Sequence, residues 1–178
     1  SGESKMATRT CILWKTPLAG AAITRPSLVD AHSMDATKVI LIQDSQFYLY
    51  CLSTEGSVLW RKPLDQPVQS EIQAIDYFDN GRHCFLFNTA DAIWLLDAEG
   101  KLVPGFPLKL QAKAAGEILA VDLDGNHQYA LFIPCENENL YGFDRFGRPL
   151  PGWNPKRDVG IVRHKPVNIK KATQDYMA

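Results

Sequence analysis

The sequence has almost no charge imbalance: 19 Lys and Arg stand against 20 Asp and Glu over 178 residues, a formal net charge of −1. A chain without excess positive charge offers no face able to neutralise a phosphate backbone. It also has no five-to-eight-residue basic run, because Lys165 is parted from Lys170 and Lys171 by Pro, Val, Asn and Ile. Nucleic acid is thereby excluded as the expected partner. Long apolar runs are missing as well. Uncharged stretches such as Ser45 to Thr54 are about half the ~20 residues needed to cross a bilayer, and the first residues carry no apolar signal-peptide core, so the chain reads as soluble with no membrane span.

Cysteine is sparse and badly spaced for metal. Cys11, Cys51, Cys84 and Cys135 form no C-x-x-C pair and have no histidine three to five residues away, which removes a structural zinc site of the usual spacing. Four thiols in 178 residues are no disulfide scaffold. They read either as free, buried small hydrophobes or as including a bridge, so they do not identify a compartment. Helical periodicity is lacking too. The most helix-like stretch, Leu110 to Ala115, is too short to count.

What the sequence does have is a repeat. Three segments align on a glycine turn: Tyr48 to Trp60 around Gly56, Ala92 to Pro104 around Gly100, and Asn139 to Pro151 around Gly147. An aliphatic-aromatic pair precedes each glycine at fixed distance (Leu49-Tyr50, Ile93-Trp94, Leu140-Tyr141), and a proline-containing exit follows it. The segment Leu13-Trp-Lys-Thr-Pro-Leu18 repeats the exit Leu59-Trp-Arg-Lys-Pro-Leu64 at a spacing of 46 residues. Glu71-Ile-Gln-Ala-Ile-Asp76 matches Glu117-Ile-Leu-Ala-Val-Asp122 at the same spacing, with Ser27 to Asp30 a degenerate copy before it. Next in each period comes an apolar run: Lys38 to Gln43, Cys84 to Asn88, Tyr129 to Ile133.

Each period therefore contains four short β-rich runs bounded by Asp, Asn, Gly or Pro. Four strands every ~45 residues predict an all-β fold, a β-propeller in which each sheet packs face to face on the next. Runs such as Val39 to Ile42 and Ala130 to Ile133 lack alternation and predict inner strands covered on both faces. The blades are expected at about residues 19–64, 65–108 and 109–155. A flexible lead (1–10) and the outer strand of an earlier blade (Cys11 to Trp14) come first, and a partial blade (156–178) follows. At ~45 residues per blade the phase does not close a ring. The chain over 11–178 thus reads as an open sector with exposed end faces, completed by a longer chain or by self-association.

These repeats resemble two propeller families. The Asp97-Ala-Glu-Gly-Lys-Leu and Ser53-Thr-Glu-Gly-Ser-Val-Leu-Trp60 turns are similar to those of quinoprotein, or PQQ-like, propellers. Val121-Asp-Leu-Asp-Gly-Asn126, with the later Leu150-Pro-Gly-Trp153 exit, resembles FG-GAP/VCBS-type bacterial propellers. The second resemblance implies a Ca²⁺ loop whose ligands would be Asp122, Asp124 and Asn126, three hard oxygens at alternate positions. His127 departs from that pattern where glycine is usual, and Ala130 where another acid is expected; the competing reading is a plain Asx-rich turn. The first resemblance implies an axial redox cofactor, yet no cluster of polar groups for one can be picked out. Trp14, Trp60, Trp94 and Trp153 fall at or near repeat positions, as packing between blades predicts.

No nucleophile elbow, phosphate-binding glycine loop or H-E-x-x-H motif is present, and no catalytic residue is expected. His32, His83, His127 and His164 are isolated in sequence. Glu136, Glu138, Asp144 and Arg145 read as a solvated blade edge. The function expected is a non-catalytic binding or scaffold module of a larger bacterial protein, periplasmic, envelope-bound or extracellular by resemblance. Its partner would be a protein or a carbohydrate, met at the loops Gln66 to Gln69, Gln111 to Gly116 and Arg157 to Lys165. The alternatives are a sector of a quinone-dependent dehydrogenase and an outer-membrane assembly scaffold.

Overall fold

The computed structural model describes residues 11–33, 37–122 and 124–151. The lead over 1–10, the partial blade over 156–178, Trp153, His164 and the loop 157–165 lie outside the described residues. Eleven strands and no helix are found among them. The first sheet is β1 (Ser27–Asp30), β2 (Lys38–Gln43), β3 (Tyr48–Ser53) and β4 (Val58–Pro63). The second is β5 (Gln73–Ile75), β6 (Cys84–Asn88), β7 (Ala92–Leu96) and β8 (Leu108–Lys109). The third is β9 (Leu119–Val121), β10 (Ala130–Pro134) and β11 (Leu140–Phe143). Each is an antiparallel meander in sequence order, which is what short turns between consecutive strands produce.

The three sheets stack as blades of an open propeller sector. One seam joins Val39, Leu41, Leu49 and Cys51 of the first blade to Phe85, Phe87, Trp94 and Leu96 of the second. The other joins Leu86, Ile93 and Leu95 of the second blade to Leu131, Ile133 and Tyr141 of the third. Odd and even positions of β6 and β7 thus serve different seams, and every residue of both strands is buried.

The outer described blades behave differently from the sequence expectation. Val39 to Ile42 and Ala130 to Ile133 alternate between buried and half-buried instead of being covered on both faces, because among the described residues each of these blades has a neighbouring sheet on one side only. Among the described residues the third sheet has three strands, with a single bridge between Phe143 and Pro149 after them. Cys11 to Trp14 is a further correction. It forms no strand with any other described segment.

Trp14 nonetheless sits where the repeat predicts. The turns of the glycine repeat are built alike: the side-chain oxygen of Ser53, Asp97 or Asp144 accepts backbone N–H groups two and four residues on. The glycine three residues on takes a left-handed conformation, with φ of 85° at Gly56, 77° at Gly100 and 77° at Gly147. Against the bare Cα of Gly100 lies the indole of Trp60 from the preceding blade, and a Cβ there would come 2.6 Å from Trp60 Cδ2. The indole Nε1–H donates to the carbonyl of Ala98 in the same turn (2.8 Å). Trp14 covers Gly56 in the same way, and Thr16 Oγ1 donates to the Gly56 carbonyl. At Gly147 the covering residue is Leu108, at an ordinary 3.5 Å.

Asp44 closes the turn after β2 and ties the leading segment to the first blade. Its carboxylate accepts from the backbone N–H of Gly20, Gln46 and Tyr48 and from the Tyr50 hydroxyl. Burial acts to raise its pKa, but these hydrogen bonds outweigh it and hold the group below the usual carboxylate value. The folded pKa lies below the unfolded one, so this stabilisation is fully present above the unfolded value near 3.9 and is lost as pH falls through the folded value.

Two outcomes are expected. Gly100→Ala should lower stability by about 2–4 kcal/mol in denaturant titration, combining left-handed strain with the indole clash, whereas Gly125→Ala should cost only about 1 kcal/mol. Gly125 is also left-handed (φ 67°) but has nothing within 4 Å of the added methyl. Asp44→Asn should lower the melting midpoint at neutral pH, and the gap to wild type should narrow as pH drops below about 4.

Candidate functional site

The buried polar side chains fall at repeat positions that the sequence reading did not single out. Gln43 and Asn88 end the second strands of the first two blades, and both are fully buried. Asn88 Oδ1 accepts from the Ile118 N–H (2.8 Å), while its Nδ2 donates to the carbonyls of Thr89 (3.1 Å) and Gly116 (3.3 Å). Gln43 makes the same clamp one blade earlier: Oε1 accepts from Val68 N–H (2.8 Å) and Nε2 donates to the Gln66 carbonyl (3.0 Å). Each amide thus satisfies one donor and one acceptor of the chain entering the next blade. Gln73 on β5 does likewise for β9, donating to the Ile118 carbonyl (2.7 Å) and accepting from Ala120 N–H (3.4 Å). The third-blade equivalent of Gln43 and Asn88 is Pro134, which has no such amide.

Of the loops expected to meet a partner, Gln66 to Gln69 borders a groove of about 250 Å³ where the chain enters the first and second blades. Leu49 and Ile72 line its apolar side, and Arg25, Gln69 and Glu71 put polar groups at its rim. The loop Gln111 to Gly116 is tied down instead. Ala114 and Ala115 donate to the carbonyls of Ala90 and Pro134, and Lys113 accepts from Glu136 N–H.

The three oxygens of the calcium pattern are split among different tasks. Both carboxylate oxygens of Asp122 accept backbone N–H groups, from Asn126 and His127 (3.1 Å each). Asn126 Oδ1 accepts from Gln128 N–H (2.9 Å), and Asp124 is exposed. The equivalent turn repeats the arrangement: Asp76 accepts from Asn80 N–H (3.0 Å) and Gly81 N–H (2.9 Å). His127 (φ 57°) occupies the left-handed position that Gly81 (φ 79°) fills in the preceding blade.

The histidines and the acidic edge separate on inspection. His83 Nδ1 lies 2.8 Å from the Asp30 carbonyl and its Nε2 2.8 Å from Ser33 Oγ, so it ties the first blade to the turn after β5. Asp144 closes its own turn and pairs with Arg148 (2.8 Å). Arg145 departs from the expected solvated edge. It is half-buried, stacks 4.6 Å over the Tyr77 ring and donates to the carbonyls of Tyr77 (2.7 Å) and His127 (3.3 Å), bridging the second and third blades. Sequence reasoning placed it by its charged neighbours, but its long stem lets the guanidinium turn inward.

All four cysteines are unpaired. Cys11 is exposed; Cys51, Cys84 and Cys135 lie in the seams, where burial pushes their thiols up to about 12, 12 and 11. Of the aromatics named in the repeat, Trp94 is a seam residue: it stacks on Phe87 with ring planes 3° apart, and its indole N–H reaches Thr89 Oγ1 (3.3 Å).

No known family model matches the chain, and no curated protein matches it. Among solved structures it is similar to the crystal structure of BamB from Moraxella catarrhalis, at 20% identity with a TM-score of 0.45, over 82% of this chain and 48% of that one. The chain spans about half the length of that structure.

Asn88→Leu keeps the volume but leaves the Ile118 N–H and the Gly116 carbonyl without their partner. It should cost about 2–4 kcal/mol in denaturant titration, more than a surface Asn→Leu control. Gln43→Leu should act in the same direction.

Proposed function

We propose that this chain is a sector of a non-catalytic β-propeller module that presents its loop ends as a binding and scaffold surface for a protein or carbohydrate partner, inside a larger bacterial protein of the envelope or the extracellular space. The observation that carries the reading is the division of labour among the polar side chains. Gln43, Gln73 and Asn88 are committed to blade-to-blade backbone hydrogen bonds, while the groove beside Gln69 sets Arg25 over an apolar floor. A shallow site with a few polar groups over apolar side chains suits a peptide segment or a sugar ring.

The residues behind the quinoprotein and FG-GAP resemblances have architectural tasks here. Asp97 and Gly100 close a hairpin, Trp60 packs on that glycine, and Asp122 holds its own turn. These tasks support a propeller scaffold without calling on a cofactor.

A photo-crosslinking residue placed at Gln69 in the full-length protein should capture a partner in its native setting, and the same residue at Val58 on the outer strand should not. Equal capture from both positions would remove the groove from the proposal. The dehydrogenase alternative has its own readout: addition of PQQ and Ca²⁺ is expected to give no dye reduction with alcohols or sugars, and cofactor-dependent reduction would replace the scaffold reading.

A further inference from the structure

We infer that Asp76, Asp79 and His127 form a divalent transition-metal site that bridges the second and third blades. One ligand atom of each lies within 4.8 Å of the other two. One of these pairs, His127 Nε2 and Asp79 Oδ1, is 3.4 Å apart. That is longer than an ordinary charge-assisted hydrogen bond, which falls at about 2.7–2.9 Å. It is close to the edge of a tetrahedron around an ion with bonds of about 2.0–2.1 Å, where neighbouring ligands sit about 3.3 Å apart.

The fold brings the three together from two turns. Asp76 and Asp79 belong to the turn between β5 and β6, and His127 to the turn between β9 and β10. His127 stands where the first of these turns has Gly81, so the second turn carries an imidazole at a left-handed position that its counterpart leaves without a side chain. The turns are fixed to each other from a third point. Arg145 donates to the carbonyls of Tyr77 and His127, and the Tyr77 hydroxyl donates to the Arg145 carbonyl (2.9 Å). Asp122 and Asn126, the residues of the calcium pattern, hold the turn that carries His127.

The imidazole has a partner on its far side. His127 Nδ1 lies 3.3 Å from the Tyr129 hydroxyl. With the proton on Nδ1 and the hydroxyl accepting it, Nε2 turns a lone pair toward the two carboxylates, the outer-shell arrangement that orients metal-bound histidines. Asp76 is nearly buried, whereas the Asp79 and His127 side chains are 70% and 33% exposed, so water can reach the remaining coordination positions. One imidazole and two carboxylates suit Zn²⁺ or a similar ion; Ca²⁺ prefers six to eight oxygens.

The test uses the 178-residue chain and zinc chloride in isothermal titration, with Co²⁺ absorption as the spectroscopic check. Wild type should bind one equivalent of Zn²⁺ with a rise in melting midpoint, and should give the intense visible bands of four- or five-coordinate Co²⁺. His127→Gly reproduces the residue of the equivalent turn, so the fold should persist by circular dichroism. Its Zn²⁺ affinity should fall by at least about tenfold and the thermal shift should vanish. Asp79→Asn should behave likewise. Undiminished Zn²⁺ binding by His127→Gly would overturn the assignment, because another group would then be the ligand. Absence of Zn²⁺ binding by wild type would also overturn it, leaving His127 and Asp79 as an ion pair.

Discussion

A four-stranded antiparallel sheet with apolar side chains on both faces has nowhere to put one of them unless another sheet covers it. Burying a single large side chain is worth about 1.5–3 kcal/mol, and β6 and β7 bury ten residues on two faces. Stacking blade on blade is therefore the constraint from which the rest follows. The turn glycines let an indole or a leucine lie against the next turn, and the buried amides satisfy backbone groups that stacking removes from water. Cys51, Cys84 and Cys135 stay protonated because they lie in the seams.

The same constraint explains which parts of the fold were legible in the sequence. A repeat of four apolar runs around a glycine specifies a stacked meander, because nothing else buries every copy of the pattern at once. Trp14 and Trp60 could be matched by position, and both cover a turn glycine. A repeat cannot say how many neighbours a copy has, however. Val39 to Ile42 and Cys84 to Asn88 look alike as sequence, yet the first alternates in burial and the second does not, because among the described residues only the second blade has a sheet on each side. At Cys11 to Trp14 the repeat pointed to a strand, but a strand is a property of two segments, and no described segment pairs with this one.

The candidate sites were less legible, and the residues show why. Gln43 and Asn88 are polar in otherwise apolar runs, which was a usable signal, but their partners lie 25 and 30 residues on, in loops without a pattern of their own. Arg145 sat among acids in sequence and was read as solvated, while its guanidinium contacts Tyr77, 68 residues away. Local charge describes the backbone's neighbours, and a long side chain chooses among spatial ones. His127 was the opposite case. Its departure from glycine was visible, but its meaning depended on Asp79 across the blade boundary.

That last contrast points to where a repeat protein can carry chemistry. Positions that every blade needs, such as the turn glycines and the seam aliphatics, are bound to stacking, and changing one costs the stability of two blades. A position whose neighbours in other repeats hold glycine or solvent is free of that duty. Gly81 and His127 make the same turn, each held by the equivalent aspartate, Asp76 or Asp122, so the imidazole is not what shapes the loop. A left-handed histidine costs about a kilocalorie more than glycine, and architecture alone would have kept the cheaper residue. The difference between two otherwise equal turns is therefore the feature that the fold leaves unexplained, and its side chain faces the one neighbouring turn that supplies two carboxylates.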